Sequence, residues 1–146
     1  MAVAVVAMAA AMPVVADAGV ALVKYEVTGG ESIAKSLTGK PGDAAKGRGL
    51  AIHRKKGNCL ACHAMPIPEQ SFHGNIGPDL AGVASRYSAG ELRLRLVDAT
   101  IVNKDTIMPA FYRTAGLHRV LKKFKDKTVL KAQEVEDILA YLLTLK

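Results

Sequence analysis

The strongest periodic signal lies near the C-terminal end of the chain. Val135, Ile138, Leu139 and Leu142 share one stripe at helical spacing, and Gln133, Glu134, Glu136 and Asp137 crowd the first turn, where acids complement the helix dipole. The pattern predicts a helix from about 132 to about 145. Ser88-Ala89-Gly90-Glu91 is a capping box, and Leu92, Leu96 and Ala99 continue it with the same period, which predicts a second helix ending near 99. Asp43, just after Pro41-Gly42, has the chemistry of an N-cap for a helix from 44 to about 55. Gly47 and Gly49 each weaken that helix by about 1 kcal/mol relative to Ala, which a second helix crossing at close backbone distance would excuse.

Elsewhere the period is lost. Val20, Leu22, Val23, Tyr25 and Val27 alternate loosely within residues 19–42, which read as an extended arm, either packed on the domain or a disordered leader. Met65-Pro66-Ile67-Pro68 cannot be helical, and 72–76 continues as loop. Ile76-Gly77-Pro78-Asp79-Leu80-Ala81-Gly82 is a rigid turn that leaves the Pro78 carbonyl free to accept a hydrogen bond. Residues 106–111 are loop, and the basic segment 118–127 has room for one short helical turn. With almost no strand signal, the expected class is all-α, three to four helices with long loops and no repeat.

Residues 1–18, MAVAVVAMAAAMPVVADA, are an apolar run ending in Ala16-Asp17-Ala18, the small-x-small shape of a signal-peptidase site, although no Lys or Arg precedes the run. The run is short for a bilayer span and is broken by Pro13. Cleavage after Ala18 would remove 18 of 146 residues and leave 128, enough for a single domain over 43–146 with its arm at 19–42. No later stretch is long and apolar enough to cross a membrane, so the expected mature protein is exported and has no membrane span.

The chain carries 20 basic and 13 acidic residues, a formal net charge of +7, which becomes +8 once Asp17 is removed. That balance favours encounter with an acidic surface. Nucleic acid is an improbable partner, because there is no binding motif, no Trp and few aromatics for base stacking. Lys55 and Lys56 form one basic cluster, and Lys122, Lys123, Lys125 and Lys127 a second; each reads as a solvated face or as part of a docking ring.

The chemistry is concentrated in Cys59-Leu60-Ala61-Cys62-His63. Two cysteines three apart with a histidine directly after are what covalent haem attachment requires: one helical turn aims both thiols at the two vinyl groups of the porphyrin, and His63 offers an axial nitrogen to the iron. A redox dithiol or half of a zinc site uses the same cysteine spacing, but zinc needs two more ligands and the chain has no other cysteine. One haem c is the expected cofactor.

An electron-transfer haem needs a second axial ligand, and outside the N-terminal run the thioethers are Met65 and Met108. Met65 is two residues from His63, about 7 Å of extended backbone, too little to pass round the porphyrin edge. Met108 is far enough along the chain, and Pro109 keeps it extended and out of a helix. Met108 is therefore the expected sulfur ligand, with His73 or His118 the bis-histidine alternative and His53 a surface residue among Arg54, Lys55 and Lys56. Sulfur ligation would raise the haem potential relative to a bis-histidine site.

Helices and loops around this motif resemble a class I cytochrome c, and the resemblance implies that the Pro78 carbonyl, within a Gly-Pro-x-Leu segment, accepts the Nδ1 proton of His63. It also implies that Tyr141 and Leu142 cross near Gly47, although the position four after Gly47 is Ala51 where class I cytochromes usually have an aromatic residue. More closely still, Ser36-Leu37-Thr38-Gly39-Lys40-Pro41-Gly42-Asp43, the haem motif with its Ala64-Met65-Pro66-Ile67-Pro68 tail, Thr106-Ile107-Met108-Pro109-Ala110-Phe111-Tyr112, and the run from Gln133 to Leu142 resemble the SoxX family, the mono-haem subunits of the SoxAX sulfur-oxidation cytochrome complex.

That resemblance implies a periplasmic heterodimer with a SoxA-like cytochrome. In that family the pair acts as an L-cysteine S-thiosulfotransferase that couples thiosulfate oxidatively to a cysteine of a SoxYZ-like carrier. The present chain would add no catalytic group. It would take electrons from the SoxA-like partner and pass them to a soluble cytochrome c acceptor. The competing reading is a free-standing mobile cytochrome c that shuttles electrons to a terminal oxidase.

Overall fold

The computed structural model describes residues 22–146. The expected export signal at 1–18 lies outside them. Four α-helices are present among the described residues: α1 (Ala44–Ile52), α2 (Val83–Arg86), α3 (Ala89–Asp98) and α4 (Ala132–Leu142), with short 3-10 turns at Cys59–Ala61, Ala99–Ile101 and Lys122–Phe124. The last of these is the helical turn expected in the basic segment. The described residues contain no β-strand, only one isolated bridge between Thr28 and Ser32. The all-α expectation holds, and α2 is an element the periodicity did not reveal.

Asp43 caps α1 as its chemistry demands, its carboxylate accepting from the N–H groups of Ala45 and Lys46 at 3.0 and 3.1 Å. The same two contacts, that to Lys46 first, hold its carboxyl below the usual aspartate range. The helix stops at Ile52, three residues earlier than expected, because the chain folds back on the helix end: the N–H groups of His53 and Gly57 both donate to the Leu50 carbonyl at 3.2 Å. At α3 both halves of the capping box form, Glu91 N–H to Ser88 Oγ at 3.4 Å and Ser88 N–H to Glu91 Oε2 at 2.8 Å.

α1 and α4 cross at the centre of the fold. A Cβ on Gly47 would run into the backbone carbonyl of Asp137 and come within 2.9 Å of the Ile138 nitrogen, so the two backbones touch. The closest backbone approach is at Asp137 and Ile138, about one turn before Tyr141, which lies near it beside Arg48, the neighbour of Gly47. Ala51 is fully buried, and its small side chain suits so close an approach. Gly49 plays no part in it: a Cβ there would meet nothing within 4 Å.

Around this crossing Val135, Ile138, Leu139 and Leu142 of α4 pack with Leu92, Leu94, Leu96 and Val97 of α3. Helix α3 is buried more widely than its Leu92–Leu96–Ala99 stripe predicts, because the arm passes over a second side of it: Ile33 N–H donates to the Gly90 carbonyl at 3.0 Å. The arm is thus packed on the domain, and its Ile33 and Leu37 belong to the core.

Two acids of α4 do something other than complement the dipole. Glu136, 4% exposed, accepts from Arg93 Nε at 2.9 Å, from Arg93 Nη2 at 3.1 Å and from the Leu37 N–H at 2.8 Å. Arg93 reaches on to the Ile33 carbonyl at 2.6 Å. Asp137 accepts from the Asp43 N–H at 2.9 Å and from Gln133 Nε2 at 3.0 Å. Glu136 is paired with Arg93, and Asp137 is held by hydrogen bonds from neutral donors, as burial requires. Helix α4 ends at Leu142, with Thr144 Oγ1 donating to the Tyr141 carbonyl at 2.7 Å and the Leu145 carbonyl accepting from Ala84 N–H of α2 at 3.0 Å.

Two substitutions separate these effects. In urea unfolding of the haem-loaded protein, Gly47→Ala is expected to lose more than about 3 kcal/mol, because two backbones must separate, whereas Gly49→Ala is expected to gain about 0.5–1 kcal/mol. Removing one partner of the buried pair, as in Glu136→Gln, is expected to cost about 3–5 kcal/mol by the same measurement, with Arg93→Met plus Glu136→Leu costing less than the single change.

Candidate haem site

The haem motif begins where α1 has just been turned back. Gly57 sits against the end of that helix, and a Cβ there would lie 2.9 Å from the Leu50 carbonyl oxygen and 3.3 Å from Cys59 Sγ. Asn58 takes the left-handed conformation, φ 49°, a region in which Asn is tolerated better than most residues. Cys59–Ala61 then forms a 3-10 turn closed by Cys62 N–H and His63 N–H, which both donate to the Cys59 carbonyl at 3.1 and 2.9 Å. The single turn inferred from the spacing is present, in its tighter form.

Neither cysteine is in a disulfide, and burial pushes the Cys59 thiol up to about 11. Redox dithiols work through a lowered pKa, so this environment opposes that reading. Zinc has no support either, since no three His, Cys, Asp or Glu side chains converge as metal ligands among the described residues.

Segment 74–80 runs alongside the motif. Gly74 N–H donates to the Leu60 carbonyl at 2.7 Å, Gly77 N–H to Cys62 at 2.7 Å and Leu80 N–H to Ala64 at 2.9 Å. The His63 ring lies against the Gly77 backbone so tightly that a Cβ there would sit 2.6 Å from Nδ1 and 2.8 Å from Nε2. His63 Nδ1 is 2.6 Å from the Pro78 carbonyl oxygen, the hydrogen bond expected of that turn. A proton on Nδ1 leaves Nε2 with its lone pair.

Met108 arrives on a different loop, between α3 and α4. It is half-buried against the core, and its N–H donates to Thr106 Oγ1 at 3.2 Å, which shapes the strap before Pro109. Ile76 and Ile107, next to the Pro78 turn and to Met108, are 66% and 74% exposed. Paired thiols one turn apart, an imidazole pinned through Nδ1 and large apolar side chains at the approaches suit a haem c, whose flat face covers apolar surface of this kind.

Met65, set aside as a ligand, is a core residue at 4% exposure. His53 and His118 are exposed, as expected of surface histidines. Of the six lysines, Lys56 is bound to Glu134 at 2.8 Å, while Lys55, Lys122, Lys123 and Lys125 are exposed. The supporting roles of Gly74, Gly77, Thr106 and the Arg48–Glu69 ion pair were not assigned from the sequence. A glycine directly before Pro78 was the one signal that could have pointed to a packed ring.

The cytochrome c family model matches residues 44–146, which is most of the chain. The chain therefore belongs to the cytochrome c family and carries one covalently bound haem c. The crystal structure of SoxXA from P. pantotrophus is similar with a TM-score of 0.76 and 35% sequence identity, the match covering 82% of this chain and 93% of that one. Within the family the chain is a SoxX-like cytochrome. No curated protein matches it.

The packing of His63 on Gly77 gives a direct test. Gly77→Ala in the haem-loaded protein is expected to displace the His63 ring, seen as loss of the low-spin ferric spectrum at milder acidity than in the parent.

Proposed function

We propose that this chain is the electron-transfer subunit of a periplasmic SoxAX-like complex. On this reading Cys59 and Cys62 form the two thioether bonds to haem, His63 provides the nitrogen ligand, and Met108 provides the sulfur ligand. The bound haem supplies a reversible one-electron couple. The protein holds the two ligands still. Pro78 keeps the proton on Nδ1, so that Nε2 of His63 stays a lone-pair donor, and the Gly77 backbone blocks rotation of the ring. Thr106 and Pro109 keep the Met108 segment out of a helix.

With both cysteines committed to thioethers, no thiol is left to carry sulfur. The chain then contributes no nucleophile to the L-cysteine S-thiosulfotransferase reaction. It accepts electrons released at a SoxA-like partner as thiosulfate is coupled to a SoxYZ-like carrier, and delivers them to a soluble cytochrome c. The observation that carries this reading is the 35% identity to a SoxXA structure across 93% of that chain. Residues 1–18 serve as the export signal, residues 19–42 as an arm and 43–146 as the cytochrome domain. No helix among the described residues is long and apolar enough to cross a membrane.

Two measurements test the proposal. Native pull-down of the exported protein is expected to recover a second, SoxA-like cytochrome and to show thiosulfate-dependent haem reduction only in its presence; a stable monomer that is fully active in reducing an oxidase indicates the shuttle instead. Met108→Ala is expected to abolish the weak sulfur-to-iron absorption band at the red end of the ferric spectrum and to lower the haem potential. A retained band refutes the ligand assignment.

A further inference from the structure

Behind the proximal histidine, the chain from Ala64 to His73 contains two prolines and no helix, and something must keep it in one shape. Its ends are joined by His73. The Met65 N–H donates to His73 Nδ1 at 3.2 Å, and His73 Nε2 lies 3.2 Å from the Ile67 carbonyl oxygen. A backbone N–H can only donate and a carbonyl can only accept, so one ring must accept at Nδ1 and donate at Nε2. Only the neutral imidazole with its proton on Nε2 does both.

The clamp is joined to the haem motif at both of its ends. Met65 is two residues after His63, and Ile67 N–H turns back to the Met65 carbonyl at 2.8 Å. Gly74, directly after His73, donates to Leu60 inside the haem motif at 2.7 Å. Met65 and Ile67 are both buried, at 4% and 0% exposure, in the same core as Leu60 of the haem motif, so a loosened turn would disturb the packing on which the motif rests.

We infer that His73 is a positioning residue for the haem: as a neutral ring it fixes the 65–67 turn that supports His63, and its protonation releases that turn. An imidazolium presents N–H on both nitrogens, so its Nδ1 would face the Met65 N–H donor to donor. Glu69, on the same loop, is a charged neighbour of the ring, and its carboxyl is held below the usual range mainly by Arg48 of α1 and in smaller part by His73. Arg48 pairs with Glu69, and Tyr141 of α4 faces both. The arrangement couples proton uptake at His73 to the geometry of the iron's nitrogen ligand, and it rests on the assignment of His63 to the iron.

The test uses the exported, haem-loaded protein. Between about pH 8 and about pH 5, the interval in which histidines change charge, the Met65 amide is expected to shift in NMR spectra and its exchange, corrected for intrinsic rate, to speed up roughly threefold to tenfold. The haem midpoint potential should change with pH over the same interval. His73→Gln, whose amide carries one acceptor and one donor that do not titrate, is expected to keep the behaviour of the parent at the alkaline end and lose the pH dependence. His73→Leu should have no pH dependence and the potential of the acidic parent. The control His53→Gln plus His118→Gln should behave as the parent does. A Met65 amide indifferent to acid, a control that loses the pH dependence, or a His73→Leu protein with the parent's potential and profile overturns the inference. The Met65 amide reports on the clamp whether or not His63 binds iron, and loss of His63 ligation from the parent's NMR spectrum is instead the failure of that assignment.

Discussion

The structure depends on the direct approach of two helix backbones. Gly47 of α1 lies against the Asp137 carbonyl of α4, and no side chain larger than a hydrogen fits between them. Such an approach sets the position of α1 along α4 to within a fraction of a turn. The segment after α1 is therefore placed as well: the chain returns on Leu50 through Gly57 and enters the haem motif, with Cys59 beside the helix end. The crossing thus determines where the thiols stand relative to the core.

A second constraint fastens the arm to the same helix. Glu136 is adjacent to the crossing and gathers Arg93 of α3 and the Leu37 N–H of the arm, while its neighbour Asp137 holds the N–H of Asp43 at the start of α1. Buried ion pairs seldom add much net stability, because desolvation offsets most of their attraction. They do penalise any arrangement that leaves one charge unpaired. An arm of few apolar residues needs that discrimination, since Ile33 and Leu37 alone would accept several registers.

The haem site shows the same preference for rigid support over added chemistry. The His63 ring is held by a carbonyl at Pro78, by the Gly77 backbone and by three hydrogen bonds between segments 60–64 and 74–80. Rigid surroundings are what an electron-transfer haem needs, because the cofactor must change charge with little movement of the protein around it. None of these supports comes from a reactive side chain.

Much of this was legible beforehand because it is local. The Cys59–His63 spacing, the Asp43 cap, the Ser88–Glu91 capping box and the amphipathic stripe of α4 each involve residues within one or two turns, and the structure has all of them. The sequence also pointed to the haem and to the cytochrome c family, and it presented Pro78 with a free carbonyl. It misjudged or passed over what depends on packing. Glu136 and Asp137 looked like dipole partners and became buried hubs, Gly49 looked like a crossing residue and is not, and His73 looked like an alternative axial ligand and ties a turn together. The physical reason is that periodicity and capping are set by neighbours along the chain. A hydrogen bond from Leu37 to Glu136, or a ring lying on Gly77, joins residues whose proximity exists only once the whole core has closed.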